Sequence, residues 1–258
     1  MGFTYNDVHS KAMGVSARLT SWQVCGNLRN FTTIVPGKYG VTDFGSDFDY
    51  REIAVSCNIF PQKNFTALVQ KLDAISAWLD PTSLHQLIFD DVPDRYFMAR
   101  LNAAVDCERL IRAAGSFELK FFCPDPFGYA LEDETFSITT AGTAQTVTRT
   151  KGNADSLPVY AVHGVSAPSA DSSITISVND AVMKIVNALL LESETLMVDA
   201  DKMTAWVENE NGVHIRSALP YLQDVEFPAL KPGANSVSVS VQNATFTSLG
   251  IQAKSRWR

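Results

Sequence analysis

Apolar and polar residues alternate at period two through most of this chain and adopt a helical spacing once. Arg51 to Ile59 places Ile53, Val55, Cys57 and Ile59 on one side, the pattern of a half-buried strand. Pro36-Gly37 marks a turn before it. Beyond Pro61, Asn64 is a capping residue, and Phe65, Leu68, Leu72, Ile75 and Leu79 recur at spacings of three and four. This predicts a helix that ends before Pro81, because the residue preceding a proline is pushed out of the helical region. The stripe is narrow and too short for a coiled-coil seam, so one helix lying on one sheet face is expected.

Leu84 to Phe89 and Arg95 to Leu101 read as a hairpin closed by the five-residue loop Asp90-Asp91-Val92-Pro93-Asp94. Strands near Ala104 to Ile111 and Phe117 to Cys123 flank a turn around Gly115. The prolines of Cys123-Pro124-Asp125-Pro126 cannot donate to a sheet ladder and end that run. The composition changes here, and short strands at the spacing of a sandwich or barrel follow: Val159 to Val165, Ile174 to Val178, Val213 to Ile215 and Val237 to Val241. Asn179-Asp180 and Asn211-Gly212 are hairpin turns, and Leu189 to Leu196 fits a short helix as well as a strand. Thr139 to Gly152, rich in Thr, Ala and Gly, reads as a linker. The expected division is a domain over 1–132, a linker or loose hairpin over 133–152, and a domain over 153–258.

Composition narrows the function. A chain of 258 residues with 46% hydrophobic residues can bury a core without staples. Its net charge of −7 and lack of a basic run argue against clamping nucleic-acid phosphates. The N-terminus lacks the pattern of a signal peptide, and Asn6 stands where a myristoylation motif needs Ser or Thr. No apolar run is long enough for a membrane span, so no membrane insertion is expected. Cys25, Cys57, Cys107 and Cys123 show no CxxC spacing and read as reduced thiols in a cytosolic chain.

The search for chemistry is negative. His9, His85, His163 and His214 form no zinc pattern, and no nucleophile elbow occurs. Asp43-Phe44-Gly45 lacks the other kinase motifs, and Pro36-Gly37-Lys38 is not a phosphate loop. The clusters Asp90, Asp91, Asp94 and Asp43, Asp47, Asp49, with Asp199 and Asp201, suit turns that use Asp for local backbone bonds. Tyr160, Trp206, Tyr221 and Trp257 lie in the β-rich half, where rings serve as core or as sugar-stacking surfaces. Trp206 and Tyr221 are the candidates for stacking on a glycan. The sequons at Asn30, Asn64 and Asn243 carry no meaning without secretion. We expect no catalytic, cofactor-binding or metal-binding residues, and therefore a structural or binding protein.

Several stretches together resemble a known family. Phe3-x-Tyr5 with Val8 and Gly14, the turn Pro36-Gly37, Arg51, and the helix end Trp78-Leu79 are similar to the opening of the distal tail proteins of long-tailed, non-contractile bacteriophages. So are Leu87-Ile88-Phe89-Asp90-Asp91-x-Pro93-Asp94-Arg95-Tyr96, Gly115 to Phe121 and Cys123 to Tyr129. The second half, with Phe227-Pro228-x-Leu230-x-Pro232-Gly233-x-Asn235 and Arg256-Trp257-Arg258, resembles a galectin-like domain.

The resemblance implies a mainly β fold of two β-sandwich-like domains. The N-terminal one would carry a flanking α-helix and a protruding β-hairpin, and the C-terminal one would be galectin-like, akin to a carbohydrate-binding module. It implies a homo-hexameric hub ring at the virion tail tip, assembled in the host bacterial cytoplasm. Its partners would be the tail tube protein, the tail-tip or tail-associated protein and receptor-binding proteins, with DNA passing through unbound. The Leu84–Leu101 hairpin is then a candidate arm, and Arg95, Tyr96, Phe97 and Trp78 are candidate ring-interface residues. The acidic balance suits a lumen through which DNA slides. The alternative is a glycan-binding sandwich that contributes to host-surface attachment.

Overall fold

The computed structural model describes residues 2–258 except 25, 104, 106, 112, 113, 169, 170, 224 and 225, with the backbone alone at 108–111. The chain forms two compact units, Met1–Leu131 and Glu132–Trp257.

The first unit holds β1 (Phe3–Tyr5), β2 (Val8–His9), β3 (Val15–Leu19), β4 (Leu28–Thr33), β5 (Thr42–Phe48), β6 (Arg51–Ile59), α1 (Phe65–Trp78), β7 (His85–Phe89), β8 (Val92–Leu101), β9 (Glu108–Ile111), β10 (Ala114–Cys123) and β11 (Gly128–Ala130). Hydrogen bonding orders the main strands β2-β1-β7-β8-β10-β6-β3, with β9 on β10 and β11 on β8. β8 joins the two halves of this path. It pairs with β7 through Phe97, Met98 and Ala99, and with β10 only through its last two residues, Arg100 and Leu101.

Alternation decides which faces are inside. Ile53, Val55, Cys57 and Ile59 of β6 meet Phe117, Leu119, Phe121 and Cys123 of β10 in one core, all nearly inaccessible to solvent. α1 lies against this core through Leu68, Ile75 and Trp78. Its cap is the expected one, with the Asn64 side-chain oxygen accepting from the Ala67 N–H at 2.8 Å. The rings of Phe3, Tyr5, Trp78 and Phe121 interlock, with Phe3 stacked on Trp78 at 5.5 Å and edge-on to Phe121 at 5.6 Å. The Phe3-x-Tyr5 signature thus marks a strand, held between β2 and β7, that plugs the aromatic core.

Three local expectations are corrected. The hairpin loop is two residues long, not five, because Phe89 already pairs with Val92 and β8 begins there. Gly115 is not a turn but lies inside β10 at a register shift. Of the expected strand near Ala104, the part from Glu108 is present, while Ala104 and Asp106 lie outside the described residues.

The second unit holds β12 (Thr135–Ile138), β13 (Gln145–Arg149), β14 (Val159–Val165), β15 (Ser173–Val178), β16 (Ala181–Val186), β17 (Thr195–Asp199), β18 (Thr204–Glu208), β19 (His214–Ser217), β20 (Gly233–Gln242) and β21 (Thr245–Gln252). One sheet runs β12-β21-β14-β17-β18-β19 and the other β13-β20-β15-β16. Their inner faces share one core that includes Tyr160, Val162, Leu196, Val207 and Leu249 from one sheet and Ile174, Ile176, Met183 and Val239 from the other. This is a β-sandwich. Asn179 and Gly212 take the positive φ that their hairpin turns need.

Residues 133–152 differ from the expected linker. They supply β12 to one sheet and β13 to the other, so they span the sandwich instead of leading to it. The Glu134 carboxylate holds this segment by accepting from Thr150 N at 2.8 Å, Lys151 N at 3.0 Å and Ser255 Oγ at 3.0 Å. Buried Arg149 donates to the carbonyls of Leu230, Ala154 and Lys151. Between 189 and 196 there is no helix; Leu190 bridges to Ser166 and β17 starts at Thr195.

Candidate assembly surface

β4 and β5 form a two-stranded sheet that pairs with no other described strand. Arg29 faces Asp47, Asn30 faces Ser46 and Thr33 faces Thr42, with a register shift between Asn30 and Thr32. An isolated ribbon of this kind is marginal in water by itself, and local bonds brace it. The Arg29 guanidinium grips Asp47 with two bonds, Nε to Oδ1 at 3.0 Å and Nη2 to Oδ2 at 2.7 Å. That grip holds the Asp47 carboxyl below its ordinary range and raises the Arg29 guanidinium. Both groups are in solvent, where such pairs contribute little stability. Asp43 accepts from the Gly45 N–H at 2.9 Å, and Gly45 has φ of 100°, which only glycine adopts without strain.

Every residue of β4 is exposed, and apolar side chains are spread over the arm. Ile34 is 78% exposed, Phe44 69%, Val41 53% and Leu28 53%. Phe31, Val35 and Tyr39 are exposed as well. Isolated apolar residues on a surface need no explanation, but this many on one ribbon that pairs with no other described strand suit an interaction surface. At the base, Phe48 meets Phe127 edge-on at 6.0 Å, and Trp22 packs edge-on against Phe97 at 5.8 Å.

The hairpin that stands apart from the main sheet is 28–48, whereas the expected arm Leu84–Leu101 supplies β7 and β8 to the main sheet. The four interface candidates sit accordingly. Trp78 is 6% exposed, with its indole N–H bound to the Tyr5 carbonyl at 2.9 Å. Phe97 is buried beneath the Arg51 guanidinium, 5.4 Å from its ring centre. Both are core residues, because β8 and α1 point them inward. Tyr96 is half-buried against Tyr129, with ring centres 5.9 Å apart. Arg95 is bound to Asp94 by two bonds of 2.9 Å.

Sequence reasoning missed the arm because its apolar residues follow no period that a core would impose. The available signal was the β-branched run Thr32-Thr33-Ile34-Val35 leading into Pro36-Gly37.

No cluster of ligating side chains that could hold a metal occurs among the described residues, and no described helix is long and apolar enough to cross a membrane. The acidic clusters work as local caps and pairs. Asp90 takes His9 at 3.0 Å, and Asp199 accepts from the Asp201 and Lys202 N–H groups at 3.1 Å. Cys57 and Cys123 are free and buried, whereas Cys25 lies outside the described residues. Of the two glycan candidates, Trp206 stands half-buried on β18, and Tyr221 packs partly against the sandwich core.

Residues 18–123 match the family model of the phage tail protein RIFT-related domain. No curated protein matches the sequence. The crystal structure of the Dit protein of phage SPP1, a hub of the adsorption apparatus in phages that infect Gram-positive bacteria, matches with a TM-score of 0.75 at 17% identity. The match covers 100% of this chain and 99% of that one. Chains from two structures of the phage P2 baseplate in its activated conformation are more distant. The calcium form gives a TM-score of 0.47 at 9% identity, covering 98% of both chains. The strontium form gives 0.45 at 8%, covering 98% of this chain and 99% of that one. Residues 18–123 are thus similar to a phage tail domain, and the whole chain shares the fold of the SPP1 Dit protein.

Proposed function

We propose that this chain is a structural protein of the virion tail tip, a distal tail protein whose copies close into a hexameric hub ring. The observation that carries the reading is the ribbon 28–48, with its exposed apolar side chains and no other described strand paired to it, on a chain matched end to end by a phage hub protein. A surface of that kind becomes stable when a neighbouring copy covers it. One repeated contact between unlike surfaces closes into a ring when its rotation divides the circle. The first unit, which carries the arm, builds the ring, and the galectin-like second unit stands outside the closing contacts.

The ring joins the tail tube protein to the tail-tip protein and offers its rim to receptor-binding proteins. DNA passes through without specific binding, because a net charge of −7 disfavours holding phosphates. No bond-breaking role is assigned.

Light scattering on the purified full-length chain, with negative-stain images, tests the reading. The expected result is a particle of six times the chain mass with annular class averages. A chain that stays monomeric, and whose virions keep their infectivity when Ile34 and Phe44 are both replaced by Asp, overturns it.

A further inference from the structure

The outer face of the six-stranded sheet carries an ordered set of side chains that the hub reading does not use. On β14, β17 and β18 the inward residues Tyr160, Val162, Leu196, Val198, Ala205 and Val207 are buried, so their alternating neighbours face outward. Strand register aligns these neighbours in two rows. In the first, His163 lies opposite Thr195, Thr195 opposite Glu208 and Glu208 opposite His214. In the second, Gly250 lies opposite Ala161, Ala161 opposite Met197 and Met197 opposite Trp206. At the usual interstrand spacing, the polar row is roughly 14 Å long.

The groups are already oriented. The Trp206 indole N–H donates to Glu208 Oε1 at 2.6 Å, which fixes ring and carboxylate together. Among the described residues Glu208 Oε2 accepts no hydrogen bond. The His214 ring lies 6.3 Å from that of Trp206, tilted by 41°. His163 Nδ1 and Thr195 Oγ1 are 3.2 Å apart, which leaves the far imidazole nitrogen for a ligand. The small residues Gly250 and Ala161 keep the floor low beside the indole and the Met197 side chain.

We propose that this face is a saccharide-binding site, with Trp206 as the stacking plate and the row His163, Thr195, Glu208 and His214 as hydrogen-bonding partners for sugar hydroxyls. A pyranose offers one face of C–H groups to an aromatic ring and a rim of vicinal hydroxyls to imidazoles and carboxylates. The two rows provide those partners side by side. A phosphate-bearing ligand fits poorly, since the rows contain a carboxylate and no Lys or Arg. A protein partner fits poorly as well, since the apolar row is one residue wide and lies beside a polar row, too narrow for the apolar centre of an interface. The site stands on these residues alone, so it is independent of ring formation.

The test uses the full-length chain on a microarray of bacterial surface oligosaccharides, with affinities of retained sugars measured by calorimetry. At least one saccharide is expected to bind. Trp206→Ala, Glu208→Gln and His163→Ala should each weaken binding by about tenfold or more, the scale of a lost charged hydrogen bond or stacked ring. Tyr221→Ala should leave it unchanged. Glu208→Gln, which removes only a charge from the surface, decides the matter if Trp206→Ala does not fold. Retention of no saccharide overturns the site, as does binding that survives Glu208→Gln and His163→Ala. Neither result alters the particle mass that tests the hub.

Discussion

The indole nitrogen of Trp78 donates to the main-chain carbonyl of Tyr5 at 2.9 Å, joining the helix end to the first strand across 73 positions. The Tyr5 hydroxyl returns the link by donating to the Asp80 carbonyl at 3.1 Å. Burial pushes the Tyr5 phenol up to about 12, with nearby Asp80 adding to the rise. The first bond is buried in the aromatic core, where water cannot substitute, and the second is part-buried at its edge.

Trp78→Phe keeps most of the ring volume and deletes the donor. The Tyr5 carbonyl then loses a buried partner, and the first unit should lose about 1–3 kcal/mol. Trp78→Ala also opens a cavity and should cost about 3–5 kcal/mol. Urea titrations followed by fluorescence measure both, and a Trp78→Phe variant as stable as the parent would rule out the bond as a stabilising link.

Phe44→Asp and Ile34→Asp act on residues that touch little of their own subunit. Each should change subunit stability by less than about 0.5 kcal/mol, the range for surface positions. Sedimentation should nevertheless show the assembled species lost. A variant that assembles normally would detach the arm from the ring contact.

Buried Glu194 accepts from both terminal nitrogens of Arg216, which also caps the Leu189 carbonyl. The Arg216 bonds hold the Glu194 carboxyl below its ordinary range, more than offsetting its burial. A depressed folded-state value means stability that is present above the unfolded value, about 4.3, and lost as pH falls through the folded one. Thermal melts of Glu194→Gln should therefore lie below the parent at pH 7. The gap should narrow as pH falls below about 4.3 and close only once pH has passed below the depressed folded-state value, where the parent carboxylate is also protonated. A gap independent of pH would remove the ion pair as its source.

Burial pushes the Cys57 and Cys123 thiols up to about 12. The thiolate is the reactive form. Iodoacetamide at pH 8 followed by peptide mapping should leave both unmodified in the native chain and label them after unfolding. Cys107, half-buried, should label faster than either. Native labelling of Cys57 would show that the β6–β10 core opens readily.

Legibility in the sequence followed burial. Arg51 to Ile59 and Ile174 to Val178 were readable because a core on one side imposes period two. The helix was readable because Asn64 and Pro81 bound a three-four stripe. The hairpin loop was misjudged because Pro93 looks like a breaker, yet a proline is tolerated near the start of a strand where its missing N–H serves no ladder bond. The arm was illegible for the opposite reason to β6: no core of its own subunit imposes a period on Leu28 to Phe48. Trp206 was visible as a residue type, but its alignment with Glu208 and His214 depends on register between strands, which no local pattern encodes.

The exposed ribbon also constrains how the protein must be made. A newly folded subunit carries sticky surface from the moment it leaves the ribosome, and any two copies can meet in the wrong orientation. Mutual repulsion from a charge of −7 slows such encounters and gives correctly aligned neighbours time to form. On the proposed hub reading, supply matched to demand, or a companion that shields the ribbon until assembly, follows from that exposed surface.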